Sequence, residues 1–324
     1  MEIMLNSLAF LAAAVCVGLM GYAIQRGATC TVAAMDEVVS KRTGRRLVSL
    51  LEASLWVAGG LLVAEALHML GKMPSGYPVN VWTVIGGAML GLGAFVNGAC
   101  VFGAIARFGS GEWAYFVTPV GFYIGCLSVG AVFAPTAPHK VDHGSPVLQA
   151  SAWLAPIFVA FVLWRLARPL AGGQALDWRA RVWAPHAATI VIGITFLAAL
   201  LLVGSWAYTD VLAELSRGMA ASLGARALLL VALLLGAVIG GWTAGRFRHQ
   251  PIRVAQLIKC FGGGVLMGWG SLLIPGGNDG LILVGMPLLW PYAWVAFGTM
   301  CVTVATAQVL RRSLAAPMPG NGVA

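Results

Sequence analysis

The chain has 324 residues, 60% hydrophobic and only 10% charged, with mean hydropathy +0.87 and formal net charge +9. A soluble domain carries roughly 25% charged residues, so this composition excludes a water-soluble globule and points to an integral membrane protein. The basic surplus sits in short loops between apolar runs, where it acts as a topology signal, and no basic arm with interleaved aromatics supports nucleic-acid binding.

In chain order, the first apolar run covers about 4–24 and ends in Gly21-Tyr22-Ala23-Ile24-Gln25-Arg26, with Cys30 just beyond. The run follows Met1-Glu2 without a basic leader, which argues against a cleaved signal peptide. Residues 31–40 suit a short helix, and Lys41–Arg46 is a basic loop. The second span, about 47–70, carries Glu52, Glu65 and His68, and the spacing predicts that the last two share a helical face. The glycine-rich stretch 86–111 follows, then spans at about 113–133 and 147–164 around a polar loop with solvent-facing His139 and His143. A basic loop with Arg165, Arg168, Arg179 and Arg181 precedes spans at about 182–204 and 225–245. The stretch 205–224, with Asp210, Glu214 and Arg217, reads as an amphipathic surface helix. After the basic 246–253 come a second glycine-rich stretch and a last span at about 288–309. The expected organisation is one polytopic membrane domain over 1–312, with halves at about 1–134 and 147–312, and a disordered tail over 313–324.

The two glycine-rich stretches align at one offset, 177 residues. Gly86, Gly87, Gly91, Gly93 and Gly103 match Gly263, Gly264, Gly268, Gly270 and Gly280, and Cys100 then faces Gly277. Glycine costs a helix interior about 1 kcal/mol relative to alanine. Its recurrence suits backbone approaching backbone, or helices that break inside protein at membrane depth. Basic clusters at 41–46, 165–181, 246–253 and 311–312 belong on the cytoplasmic side. That is met by about nine crossings, with the N-terminus outside and the C-terminus inside. The two stretches then run in opposite directions, so the expected fold is an all-α inverted repeat with short broken or re-entrant helices. Trp82, Trp113, Trp183, Trp206, Trp290 and Trp294 fall near the expected interfaces.

The six cysteines show neither a disulfide framework nor a C-x-x-C pattern, and no metal or cofactor motif occurs. Cys16, Cys126, Cys260 and Cys301 read as small buried hydrophobes. Cys30 and Cys100 stand among polar and glycine residues at segment ends.

Three pieces together resemble the YeeE/YedE sulfur-transport family. They are Gly21–Arg26 with Cys30, Gly98-Ala99-Cys100-Val101-Phe102-Gly103 with Arg107 and Gly109, and Gly263–Gly280. The resemblance spans nearly the whole chain and implies an hourglass-like inverted repeat in the cytoplasmic (inner) membrane of a bacterial-type cell. It also implies uptake of thiosulfate or a related sulfur anion past three cysteines, with delivery to a cytoplasmic sulfur-carrier or rhodanese-like protein. Cys30 and Cys100 match two of those cysteines. Where the family commonly reads Gly-Cys-Asn, this chain reads Gly276-Gly277-Asn278, followed by Asp279.

A neutral thiol is a weak S–H donor with a polarizable sulfur, suited to a shallow site for a soft sulfur anion. The expected substrate path is therefore Cys30, Cys100, Gln25, Asn97, Gly98, Gly276, Gly277 and Asn278, with Arg26, Arg107 and Asp279 tuning its electrostatics. Asp279 would oppose an anion if ionised on the path, cap the short helix that follows it, or pair with an arginine. The leading reading is a non-enzymatic transporter. A thiol-disulfide oxidoreductase using Cys30 and Cys100, and a transport-inactive sensor or scaffold, are the alternatives.

Overall fold

The computed structural model describes residues 2–71, 73–133, 139–149, 151–171, 180–218 and 223–315, and the regular structure among them is entirely helical. The first half comprises α1 (Glu2–Gly27), α2 (Thr31–Lys41), α3 (Arg45–Ala66), α4 (Val81–Asn97), α5 (Val101–Gly109) and α6 (Val117–Phe133). A four-residue α7 (Pro146–Gln149) and α8 (Ser151–Ala171) follow. The rest comprises α9 (Pro185–Val203), α10 (Tyr208–Ser216), α11 (Leu223–Thr243), α12 (Val254–Leu273), α13 (Asn278–Gly280) with the wider turn Leu281–Gly285, and α14 (Pro291–Ala315).

Among the described residues, seven helical segments are long and apolar enough to cross a bilayer, or eight when the bent pair Val254–Leu273 and Asn278–Gly285 counts as one span. This is below the nine expected. The ninth expected span falls on α8, a 21-residue helix whose central stretch Leu154–Arg165 is apolar. The chain is a multi-pass membrane protein.

The glycines of α4 act where backbone meets backbone. A Cβ built on Gly93 would stand 2.7 Å from the Gly263 carbonyl oxygen, and one on Gly86 would stand 2.8 Å from that of Gly270. Contacts that descend along α12 as they ascend along α4 make the pair antiparallel. The other face of α4 meets α14, where Gly87 and Gly91 approach the carbonyls of Ala296 and Met300. On α12, Gly264 and Gly268 approach Thr118 and Phe122 of α6 in the same way. Small residues let membrane helices pack this closely. Element starts keep the glycine offset too, with α2 at Thr31 against α10 at Tyr208, and α5 at Val101 against α13 at Asn278.

Two expectations change. Helix α10 is not a surface helix, since Tyr208, Thr209, Val211, Leu212 and Ala213 are buried. Its polar residues Asp210 and Glu214, with Arg217 just beyond, line an open cavity, while its apolar face packs into the protein. Glu65 and His68 do not share a helical face, because α3 ends at Ala66 and His68 turns out of it at φ +56°. Trp183, Trp206 and Trp290 are buried within the protein, whereas Trp294 is 42% exposed. His139 and His143 are exposed, as expected. Arg179 and residues 316–324 of the expected tail lie outside the described residues, and 313–315 continue α14.

Candidate functional site

Two chain breaks bring Cys30 and Cys100 together. Helix α1 stops at Gly27, and Cys30 is the residue before α2, in extended backbone (φ −162°, ψ 127°). Helix α4 stops at Asn97, Gly98 takes the left-handed conformation (φ +74°) that glycine tolerates, and Cys100 precedes α5. The two helix N-termini therefore converge. The Thr31 N–H donates to Cys100 Sγ at 3.1 Å, which sets Cys100 beside the Cys30–Thr31 backbone. Gly103 makes room for this pair, because a Cβ there would lie 2.5 Å from Cys30 Sγ. Cys100 is fully buried and Cys30 half-buried. All six cysteines are free, and Cys126, Cys260 and Cys301 are buried.

Cys30 opens onto a cavity of about 630 Å³ that Gln25, Gly98, Gly103, Arg107, Ser110 and Glu112 also line. Its mouth carries Arg46, Arg107, Arg246 and Arg311 against Asp36 and Glu112. Arg107 pairs with Glu112 at 3.2 Å, and Arg46 approaches Glu37 at 3.5 Å. Arg311 lies over the Phe95 ring, and one buried Nη of Arg246 has no hydrogen-bond partner. The excess of cations favours an anionic occupant.

A second cavity, of about 270 Å³, lies beside the second break, lined by Ser205, Asp210, Gly276, Gly280, Arg217 and Lys140 among others. Its lining repeats that of the first at the glycine offset. Ala33 and Asp210 correspond, as do Gly98 and Pro275, Gly103 and Gly280, and Arg107 and Val284. The chemistry differs, since Ala207 stands for Cys30 and Gly277 for Cys100. A Cβ on Gly277 would lie 2.1 Å from Thr209 Oγ1, so the threonine occupies the room a side chain there would need. Asp279, buried at 3% exposure, accepts from the Thr209 N–H at 3.1 Å and from the Thr209 hydroxyl. It thus caps α10, neither capping α13 nor pairing with an arginine. Asp210 makes no hydrogen bond or ion pair among the described residues. Burial, then the Asp279 and Glu214 carboxylates, pushes its pKa up to about 7.

The other expected residues divide. Gln25 lines the first cavity and donates to Ser110 Oγ at 3.2 Å, while its oxygen is buried without a partner. Asn97 is a strut. Its amide donates to Ala99 O at 2.7 Å and accepts from Thr118 Oγ1 at 3.1 Å, which holds the loop before Cys100. Asn278 is fully buried, and neither end of its amide has a partner. Arg26 is buried away from both cavities and clamps elements together through Ala180 O (2.8 Å), Tyr22 Oη (2.8 Å) and Thr243 Oγ1 (3.0 Å). Thr209, Asp210, Arg246 and Arg311 were not singled out for the site from sequence. The offset itself was the available signal for Asp210, since it places this acid at the Ala33 position. Among the described residues, no group of three or more His, Cys, Asp or Glu side chains could hold a metal ion.

Residues 26–306 match the family described as Sulphur transport. The chain belongs to that family. The thiosulfate transporter TsuA of Spirochaeta thermophila is 26% identical over 317 residues, covering 86% of this chain and 92% of the relative. The thiosulfate transporter TsuA of Escherichia coli K12 is 22% identical over 329 residues, covering 91% and 93%. The matches therefore span nearly the whole of each protein. The YeeE/YedE resemblance seen in the short motifs extends through both breaks and both cavities.

Proposed function

We propose that this protein carries a small sulfur-containing oxyanion, of the thiosulfate type, into the cell across the cytoplasmic membrane. The observation that carries the reading is the close approach of Cys30 and Cys100 at the end of an arginine-rimmed cavity. A shallow site of weak S–H donors and helix N–H groups can replace part of an oxyanion's hydration and still release it. The thiosulfate names of two full-length relatives support this cargo class.

The basic loops give the orientation, with the N-terminus outside, the C-terminus cytoplasmic and the Arg-rimmed cavity facing in. Antiparallel packing of α4 on α12, and element starts at one common offset, support an inverted repeat whose two cavities are the two ends of one path. A cytoplasmic sulfur-carrier or rhodanese-like protein would take the cargo at the inner mouth. The close approach of the two cysteines also suits the second reading, a thiol-disulfide exchange protein.

Uptake of labelled thiosulfate into proteoliposomes, with Cys100→Ala and Cys100→Ser alongside, separates the readings. The transporter reading expects uptake by the intact protein, abolished in Cys100→Ala and weak in Cys100→Ser, whose hydroxyl still donates. Absence of uptake by monodisperse intact protein, together with a Cys30–Cys100 disulfide that cycles with a dithiol reductant, would favour exchange.

A further inference from the structure

The second break holds a feature that anion passage through thiols does not use. Asp279 is a buried acid with no cation on it among the described residues. Both of its oxygens are instead held by one residue, with Oδ2 on the Thr209 N–H at 3.1 Å and Oδ1 on the Thr209 hydroxyl. Thr209 is the second residue of α10, a nine-residue helix. Its N–H is thus one of the unpaired donors at a helix start that attract anions. Two carboxylate oxygens on an N–H and an O–H present the same acceptor pair as two terminal oxygens of a sulfur oxyanion.

A separate observation concerns the preceding residue. Asn278, next to Asp279, is fully buried with both the nitrogen and the oxygen of its amide unpartnered. A buried polar group left unpaired costs about 1–3 kcal/mol, so an amide with both ends free is costly unless something periodically fills it. The segment lies against the 270 Å³ cavity, which Gly276 and Gly280 on either side of it line, while Thr209, Asn278 and Asp279 are buried behind that wall. The glycine at 277 lets backbone and the Thr209 side chain close on each other where a Cβ would stand 2.1 Å from Oγ1.

We propose that the Thr209 N–H and hydroxyl, with the Asn278 amide, form a second oxyanion subsite, occupied in this structure by the chain's own Asp279 carboxylate, which cargo must displace. This rests on the transporter reading and adds to it. The outer half of the path is gated by a tethered competitor in place of a thiol, and Asp279 and Thr209 set which anions pass it.

The test is equilibrium binding of thiosulfate, sulfate, sulfite and selenite to the purified full-length protein in detergent. Asp279→Ala empties the subsite. The tethered carboxyl occupies the same donors that an incoming oxyanion needs, so its removal should tighten at least one oxyanion by about tenfold. Thr209→Val removes the hydroxyl donor with little change of shape, and the gain should vanish in the double variant. Asp279→Asn keeps the side chain's size and replaces Asp279→Ala if the latter is not monodisperse. Binding no tighter than in the parent protein for every anion in the Asp279 variants, or a gain that survives Thr209→Val, would overturn the proposal. The two readings fail separately. Intact thiosulfate uptake with unchanged binding removes the tethered competitor alone. Tighter oxyanion binding by the Asp279 variants, without thiosulfate uptake by the parent, removes the thiosulfate assignment alone.

Discussion

Replacing Gly262 and Gly263, adjacent on α12, by alanine should move stability in opposite directions. A Cβ on Gly262 meets nothing within 4 Å, whereas one on Gly263 would stand 2.6 Å from Gly93 O and 2.7 Å from both Asn97 N and Asn97 Cβ. Attractive contact between heavy atoms needs about 3.5 Å or more, so α4 and α12 would have to part by nearly an ångström. The obstructing atoms are backbone and a Cβ, which cannot swing aside as a side-chain tip can. The same interface includes Gly86 against Gly270, so a local separation strains a second close contact. Overpacking costs typically about 1–3 kcal/mol, and a clash with three rigid atoms belongs at the upper end. Alanine recovers up to about 1 kcal/mol of helix propensity over glycine. The Gly263→Ala protein should therefore lose about 2 kcal/mol, and Gly262→Ala should gain up to about 1 kcal/mol. The check is the temperature at which half of each protein remains monodisperse after brief heating in one detergent. The expected order is Gly262→Ala at or above the parent and Gly263→Ala well below it. Asn97 holds the loop that leads to Cys100, so Gly263→Ala should also lower uptake per folded molecule. A Gly263→Ala protein as heat-resistant as the parent, or both variants falling equally, would refute backbone contact as the reason for these glycines.

Gly103→Ala would place a methyl 2.5 Å from Cys30 Sγ and 3.0 Å from Ala99 Cβ. The thiol can turn away, so the fold should survive while oxidative cross-linking of Cys30 to Cys100 and thiosulfate uptake both fall severalfold; an unchanged cross-linking yield would contradict the close packing. Asp210 has its folded pKa raised to about 7, chiefly by burial, so its contribution is full below the unfolded carboxylate value and is lost as pH rises through about 7. The melting temperature of the parent should thus decline between about pH 4 and 7 more steeply than that of Asp210→Asn, and parallel profiles would show that Asp210 does not titrate in that window.

Much of this protein was legible in its residues. Apolar runs of membrane length located the helices, since hydrocarbon leaves a backbone few alternatives to a helix. Glycine spacing located both breaks and their common offset, and Cys30 and Cys100 emerged because thiols beside glycine at segment ends are unlike buried ones. Polar side chains were harder to place. Gln25 and Asn97 read as path residues and Arg26 as tuning the path's electrostatics; in the fold Gln25 lines a cavity, Asn97 braces the loop before Cys100, and Arg26 clamps three elements together. One residue's position along a helix does not say which neighbour its side chain will meet.

By itself the sequence determined the membrane class, the helical segments and their breaks, because these depend on local hydropathy and backbone freedom. Tertiary structure decided that α10 is buried, that Thr209 excludes any side chain at 277, and that Asp279 binds a residue 70 positions away. Those outcomes depend on which two chain breaks meet in space, and no local pattern carries a distance between them.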